Sequence, residues 1–295
     1  MQFGRISGQR PVIVVGEFDG FHLGHRQLLH GATGVARTNG QPLIAVILRH
    51  AEHASLLTID ERCRATMVSG ASNAIAVEVL SPSAPDVGRV IVDEIVSRLD
   101  PSTVVMACLP GNASTARFPN LRAEFVRRGV DLIEMPRWCN PDGEPITSSG
   151  IRTALQRGAI AQANDWLGRT FTLTGRVVHG SGLGRTIGFP TANLDLADPR
   201  TVPMHGVYAA EVRLPNNELH RAAVNIGVRP TVEDHGALLV EAHLLDFDAD
   251  LYGDRIQVGF RRWLRDEQRF DSVDALVGQL AVDVEQVRLM LRAAT

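Results

Sequence analysis

Near the start of the chain stands the run Pro11-Val12-Ile13-Val14-Val15-Gly16-Glu17-Phe18-Asp19-Gly20-Phe21-His22-Leu23-Gly24-His25. Its first five residues form a β-rich stretch closed by Gly16, and helix-compatible sequence follows from Gly24 to about Thr38. Gly40-Gln41-Pro42 then marks a turn before Leu43-Ile44-Ala45-Val46-Ile47-Leu48, a second strand of the fully buried type. Between Asp86 and Leu99 the apolar residues Val87, Val90, Ile91, Ile95 and Leu99 recur at helical spacing. Thr103 to Cys108 and Val130 to Ile133 read as further strands. Near-continuously apolar strands alternating with helices predict a parallel sheet covered on both faces. Ligands of such folds sit at the carboxyl ends of the strands, where the loop Gly16-Glu17-Phe18-Asp19-Gly20 falls.

The chemistry of that loop points to phosphate. Glycine lets the backbone approach a phosphate closely, and the start of a helix supplies free N–H groups. His22 and His25, flanking Gly24, add two imidazoles that can stabilise charge on a phosphoryl group during in-line attack, with no covalent intermediate. A second element, Ile146-Thr147-Ser148-Ser149-Gly150-Ile151-Arg152, opens a short helical segment running from Ser149 to Gly168. Ser148 and Ser149 can cap a helix or bind phosphate oxygens, and Arg152, one turn on, can reach a polyphosphate.

After Gly168 the texture changes. Phe171 to Thr174, Val207 to Val212, Arg221 to Ile226 and Leu238 to Leu245 are strand-like, separated by Gly, Pro and Asn turns with no helix expected between them. That pattern predicts an all-β sheet or small barrel. Apolar positions from Val273 to Leu291 then recur as a stripe, as for a helix packed on the barrel. The most informative run here is Gly175 to Leu194, in which Gly180, Gly182, Gly184 and Gly188 predict a flexible loop able to donate N–H groups to a polyphosphate. Beyond Pro190, Thr191 and Asn193 fall on one side of an emerging strand. Their hydroxyl and amide oxygens suit Mg²⁺ already held by phosphates.

Composition bounds the remaining possibilities. A chain of 295 residues is expected to form two domains. Its net charge of -3 creates no general attraction to nucleic acid or anionic membrane. All 30 Lys+Arg residues are arginine, which excludes a Walker-type lysine loop and Schiff-base chemistry. Cys63, Cys108 and Cys139 are widely spaced and read as reduced thiols. The first ten residues lack the apolar core of a signal peptide, and no run of about 18 apolar residues exists to span a bilayer. The expectation is a cytoplasmic protein.

Taken together, these motifs resemble the bacterial bifunctional riboflavin kinase/FAD synthetases. In the second half, five segments follow in the order of the riboflavin kinase family, over about residues 170 to 292. They are the glycine-rich run to Asn193, Asn225-Ile226-Gly227-Val228-Arg229-Pro230-Thr231, Val240 to Phe247, Asp250-Leu251-Tyr252-Gly253 and Leu264 to Phe270. The resemblance implies that Thr191 and Asn193 are ligands of Mg-ATP. It makes Glu241 the general base for the ribityl 5′-hydroxyl of riboflavin. Gly180, Gly182, Gly184 and Arg265 join the implied nucleotide contacts, with Arg185 standing near Leu183, where the family often has arginine.

The first half resembles the family's nucleotidyltransferase module, with its G-x-FDG-x-H-x-GH start and I-S-S-T-x-IR finish. That assigns His22 and His25 to the transferred adenylyl phosphate, with Gly16, Asp19 and Gly24 framing the site. Ser148, Ser149 (in place of threonine) and Arg152 are assigned to the triphosphate. The middle departs from the family: Arg49-His50-Ala51-Glu52-His53 replaces a T-F-x-P-H-P-like stretch. Val105 to Ala113 likewise lacks the acid and aromatics of a flavin-holding segment. Three outcomes stay open on this reading: adenylylation of FMN to FAD, another nucleotidyl acceptor, or a riboflavin kinase with an inactive front domain. The implied architecture is a Rossmann-like nucleotidyltransferase domain over residues 1–168 and a small antiparallel β-barrel with a C-terminal helix over residues 169–295. Its expected partners are riboflavin, FMN and ATP with Mg²⁺, without nucleic acid or membrane.

Overall fold

The computed structural model describes residues 10–50, 54–79, 84–108, 120–196, 200–229 and 237–292. The chain forms two compact units, Met1–Ser148 and Ser149–Thr295.

In the first unit β1 (Val12–Gly16), β2 (Leu43–Arg49), β3 (Asn73–Glu78), β4 (Thr103–Cys108) and β5 (Asp131–Pro136) make one parallel sheet ordered β3-β2-β1-β4-β5. Val12 pairs with Leu43 on one side and with Thr103 on the other. The alternation of a strand then assigns residues to two cores. Ile13, Val15, Ile44, Val46 and Val104 face α3 (Val87–Leu99) and α4 (Leu121–Arg127), where Ile91, Ile95 and Phe125 meet them. Val12, Val14, Ala45, Ile47 and Val105 face α1 (Leu23–Asn39), which contributes Leu28, Leu29, Ala32 and Ala36. Each fully buried Val or Ile contributes roughly 1.5–3 kcal/mol, so this two-faced burial is what makes the apolar runs strands. α1 stops where Gly40 turns left-handed at φ 63° and its N–H bonds back to Ala36 and Arg37.

α2 (Ile59–Val68), β3 and α4 are additions to the sequence-based expectation. α2 is nucleated by a capping box: the Thr58 side chain accepts from the Glu61 amide while the Glu61 carboxylate accepts from the Thr58 amide. The sheet order reverses between β3 and β4, so the strands flanking the switch point are β1 and β4. The loop after β1 therefore opens at the place such folds use for ligands.

The second unit begins with α5 (Ser148–Gln156), all but its first residue, and α6 (Ile160–Leu167). The expected single helical segment is broken in two at Gly158, which sits at φ 72°. Asn164 of α6 is bound to the barrel at both ends of its amide: Nδ2 donates to Phe260 O at 2.9 Å and Oδ1 accepts from Phe171 N at 2.6 Å. β6 (Phe171–Val178), β7 (Ala192–Asp195), β8 (Gly206–Arg213), β9 (Leu219–Arg229), β10 (Ala237–Leu244) and β11 (Arg255–Arg265) close an antiparallel barrel ordered β10-β7-β6-β11-β8-β9. β6 buries alternate residues, as a half-buried strand must, and Phe171, Tyr208 and Phe260 pack ring to ring inside.

A one-turn helix, α7 (Leu183–Thr186), does intervene between β6 and β7, against expectation. Gly182 at φ 76° starts it, and Phe189 N–H closes onto Gly184 O at 2.8 Å. The glycine-rich run is thus a shaped turn. α8 (Val273–Met290), capped by Ser272, lays Val284 and Val287 against Ala209 and Leu245 of the barrel unit.

Candidate functional site

The loop after β1 is built around two left-handed phenylalanines. Phe18 (φ 51°) and Phe21 (φ 42°) adopt a backbone conformation that costs an ordinary residue about 1–2 kcal/mol. Burial of both rings in the α1-facing core offsets that cost. Asp19 between them points inward, accepting from the amides of Leu56 and Leu57 at 3.0 Å and pairing with Arg62 at 2.9 Å. Arg62 is equally buried and also donates to Leu57 O, Glu17 O and Ser55 Oγ. A buried carboxylate requires such partners, so Asp19 acts on the shape of the loop through its carboxylate. Its backbone carbonyl accepts from Ser148 Oγ at 2.8 Å, which ties the serine of the second motif to the first. Ser149 lies in the first turn of α5 and Arg152 one turn on from Ser148, and both belong to the second unit.

His22 occupies the N-cap of α1 without capping it, and His25 follows on the first turn. Their rings stack at 3.7 Å. Gly24 permits this: a Cβ there would stand 3.1 Å from His22 Cε1 and 3.5 Å from Ile146 O. Gly16 likewise lies against Phe18, whose ring would meet a Cβ at 3.3 Å. Burial pushes the His22 imidazolium down to about 3, with help from the Arg137 charge. Burial holds His25 well below the ordinary value too, aided by His22, Arg62 and Arg137. Both rings are therefore neutral, and the Nδ1 of each is buried without a hydrogen-bond partner. Two neutral, desolvated imidazoles beside a helix start are hydrogen-bonding groups for an anion; neither is a proton shuttle at pH 7.

Two candidate segments fall partly outside the described residues, Ala51–His53 and Leu109–Ala113, and so do Pro230 and Thr231 of the second-half pattern.

In the barrel unit, antiparallel register places Asn193 of β7, Glu241 of β10 and Asn225 of β9 side by side in one row. Glu241 lines a cavity of about 370 Å³ together with Thr191, Asn225, His243, Arg265 and Glu267. Asn193 is buried, and its Oδ1 has no hydrogen-bond partner. Gly180 makes room for it, since a Cβ there would lie 2.3 Å from Asn193 Nδ2. Gly184 does the same beside it, where a Cβ would stand 2.4 Å from Phe189 O and 3.4 Å from Thr191 Oγ1. These two glycines serve close approach more than mobility. Gly182 sets the left-handed entry to α7, and Arg185 lies over the Tyr252 ring at 6.0 Å, with the His179 ring tilted against that ring at 3.8 Å.

Arg265 reaches the cavity, but its guanidinium is forked onto Asp283 of α8 at 2.7 and 2.9 Å. Asp283 is 1% exposed, so this pair fastens α8 to the cavity wall. The sequence carried a signal for it: an acid three residues after Leu280 and four before Val287 stands on the apolar stripe. Three further residues escaped assignment from sequence. His243 shares the face of Glu241, and its Nδ1–H donates to Pro190 O at 2.8 Å, steadying the segment that carries Thr191 and Asn193. Glu267 accepts from Asn225 Nδ2 at 3.4 Å, close against Gly227. Arg137 follows β5 and interacts with both histidines of the front unit. No motif contains it.

Comparison with known proteins agrees with this division of chemistry. Residues 167–291 match the riboflavin kinase family and residues 6–72 match the FAD synthetase family. A bifunctional riboflavin kinase/FMN adenylyltransferase of Escherichia coli (strain K12) is 35% identical over 284 residues, covering 92% of this chain and 90% of the relative. The protein of the same description from Haemophilus influenzae is 30% identical, covering 95% and 94%. Among solved structures, a crystal structure described as a macrolide-efflux protein from Streptococcus pneumoniae matches with a TM-score of 0.80 at 29% identity, over 96% of this chain and 95% of that one. Among the described residues no helix is long and apolar enough to cross a membrane. With a parallel-sheet unit, a closed barrel unit and identity sustained across both, the chain belongs to the bifunctional riboflavin kinase/FMN adenylyltransferase family.

Proposed function

We propose that this enzyme phosphorylates riboflavin to FMN in its barrel and adenylylates FMN to FAD in its parallel-sheet half, releasing pyrophosphate. Relatives carrying both activities match over nine-tenths of the chain, which favours this over a kinase with an idle front domain. The observation that carries the kinase half is the row Asn193–Glu241–Asn225, of which Glu241 and Asn225 line an open cavity together with Thr191. Glu241 takes the proton of the 5′-hydroxyl as that oxygen bonds to the γ-phosphorus, and ADP departs with the broken P–O bond. A half-buried carboxylate on a strand is held still enough for this, because its neighbours in register fix the backbone on both sides.

Thr191 and Asn193 would hold Mg²⁺ as it arrives with ATP, and the metal would supply charge neutralisation of the phosphates. The buried, unpartnered Oδ1 of Asn193 suits that role, because an amide oxygen left without a donor is a ready hard ligand. In the front half His22 and His25 donate to the phosphoryl group under attack and need no change of protonation to do so. Ser148, Ser149 and Arg152 enter as phosphate ligands on the strength of their motif. Gly180, Gly182, Gly184 and Arg185 enter likewise as the nucleotide-facing turn of the kinase. Functionally we divide the chain between residues 168 and 169, after α6 and just before the first barrel strand, and place the enzyme in the cytoplasm.

The test is incubation of the purified protein with Mg-ATP and riboflavin, with flavins separated by chromatography. FMN followed by FAD is expected. Absence of FMN overturns the kinase reading, and absence of FAD when FMN is supplied directly overturns the transferase reading.

A further inference from the structure

We propose that Arg137 is a phosphate ligand of the adenylyl-transfer site, acting beside His22 and His25; this rests on the reading of that pair as the adenylyl site. Arg137 is the first residue after β5, the neighbour of β4 in the sheet, and so stands at the carboxyl edge where ligands collect. From there the chain makes a short excursion and returns. Cys139 bridges to Pro145, and Ile146 N–H donates to Trp138 O at 3.0 Å. The returning Ile146 carbonyl lies 3.5 Å from the position of a Cβ on Gly24, the glycine between the two histidines. The base of this excursion therefore seats Arg137 at the histidine pair.

Its Nε is buried and has no hydrogen-bond partner, as is true of Nδ1 in His22 and in His25. A buried polar nitrogen that bonds nothing is costly. Arg137 Nε is always a donor and a neutral imidazole donates from Nδ1 in one of its two tautomers, so a group with several acceptor oxygens can satisfy all three together. Burial also works against the guanidinium charge, while Cys108 and Glu17 favour it, so an arriving anion gains from a cation already withdrawn from water. The chain has no lysine to offer instead. Planar N–H geometry matches phosphate oxygens.

In the reaction a phosphate oxygen of FMN bonds to the α-phosphorus of ATP, the bond from that phosphorus to the β-phosphate oxygen breaks, and pyrophosphate leaves with the electron pair. No proton transfer is needed, and Arg137 offsets negative charge on the phosphate it holds. That phosphate comes either from ATP or from FMN.

The experiment uses the full chain with Arg137→Ala, measuring FMN adenylylation with the KM of ATP and of FMN determined separately. Riboflavin phosphorylation on the same preparation controls for concentration and integrity. We expect kcat/KM for adenylylation to fall about 100-fold, with phosphorylation unchanged and with partial recovery on adding millimolar methylguanidine. A KM rise confined to ATP assigns the triphosphate, and one confined to FMN assigns the acceptor phosphate; both support the proposal. Unchanged adenylylation, or a loss that methylguanidine does not restore, overturns it. If the alanine variant fails to fold, Arg137→Lys replaces it, with an expected loss of about tenfold and a raised KM for one phosphate substrate. Wild-type KM for both substrates in that variant would again overturn the proposal. His25→Ala is run in parallel: if it adenylylates normally, the underlying site assignment fails, whereas impairment of His25→Ala alone leaves that assignment standing and removes only Arg137.

Discussion

His22 and His25 stack at 3.7 Å on the first turn of a helix, whereas Asn193, Glu241 and Asn225 stand in a row across three antiparallel strands. The first arrangement comes from a spacing of three residues within one loop, made possible by the missing side chain of Gly24. The second comes from register between strands far apart in the chain. They also differ in charge: the front pair is neutral and desolvated, and the barrel row combines two amides with a carboxylate that lines a cavity. One half can stabilise charge on phosphorus with fixed N–H groups. The other can remove a proton and hold a metal-bound nucleotide. On the proposed reading two transfers from ATP are handled by two unrelated constructions, and each should fail in its own way.

The sharpest break between them is Glu241→Gln, which keeps shape and register but removes the carboxylate proposed as the base. Riboflavin phosphorylation should fall by about 10³- to 10⁴-fold with FMN adenylylation intact, measured on one preparation with each flavin supplied separately. The converse change, His25→Ala, should lower adenylylation by about 10²- to 10³-fold and spare phosphorylation. Equal loss of both activities in either variant would contradict separate sites. Asp19→Asn probes the loop instead of the chemistry. It removes the buried negative charge paired with Arg62 and should cost the front unit about 3 kcal/mol, seen as faster hydrogen exchange there than in the barrel.

The smallest effect concerns pH. Both histidines have folded pKa values below the ordinary 6.5, so the unfolded chain takes up their protons first as pH falls. The contribution of His22 is full above 6.5 and is lost from there down towards about 3, at roughly 1.4 kcal/mol per pH unit, and His25 changes in the same direction. Denaturant unfolding of the front unit between pH 4.5 and 7.5 should show this slope, and His22→Gln should reduce it. A slope equal in the variant would deny the burial of that ring.

Much of the fold was legible because it is written in local periodicity. Val12–Gly16 and Thr103–Cys108 are strands whose apolar runs announce burial on two faces, and the stripe of α8 announces a helix. α2 was harder to see, since its apolar pattern is weak, yet Thr58 and Glu61 carried the capping-box signature throughout. The turn at α7 was hidden by its glycines, which suggest freedom where the structure shows close approach to Phe189 and Asn193. In the site, His22, His25, Thr191, Asn193 and Glu241 were named by motif, and strand register brings the last two together.

By itself the sequence established two fold classes, their order and the residue types able to handle phosphate, because strand and helix periods and short motifs are properties of neighbouring residues. Tertiary structure decided where each side chain points. Asp19 turns inward to amides 37 and 38 residues away, Arg265 is taken up by an acid 18 residues on, and Arg137 is carried to the histidines by a strand order that no local pattern states. Partners at such separations are chosen by packing and by the cost of leaving buried charge unpaired.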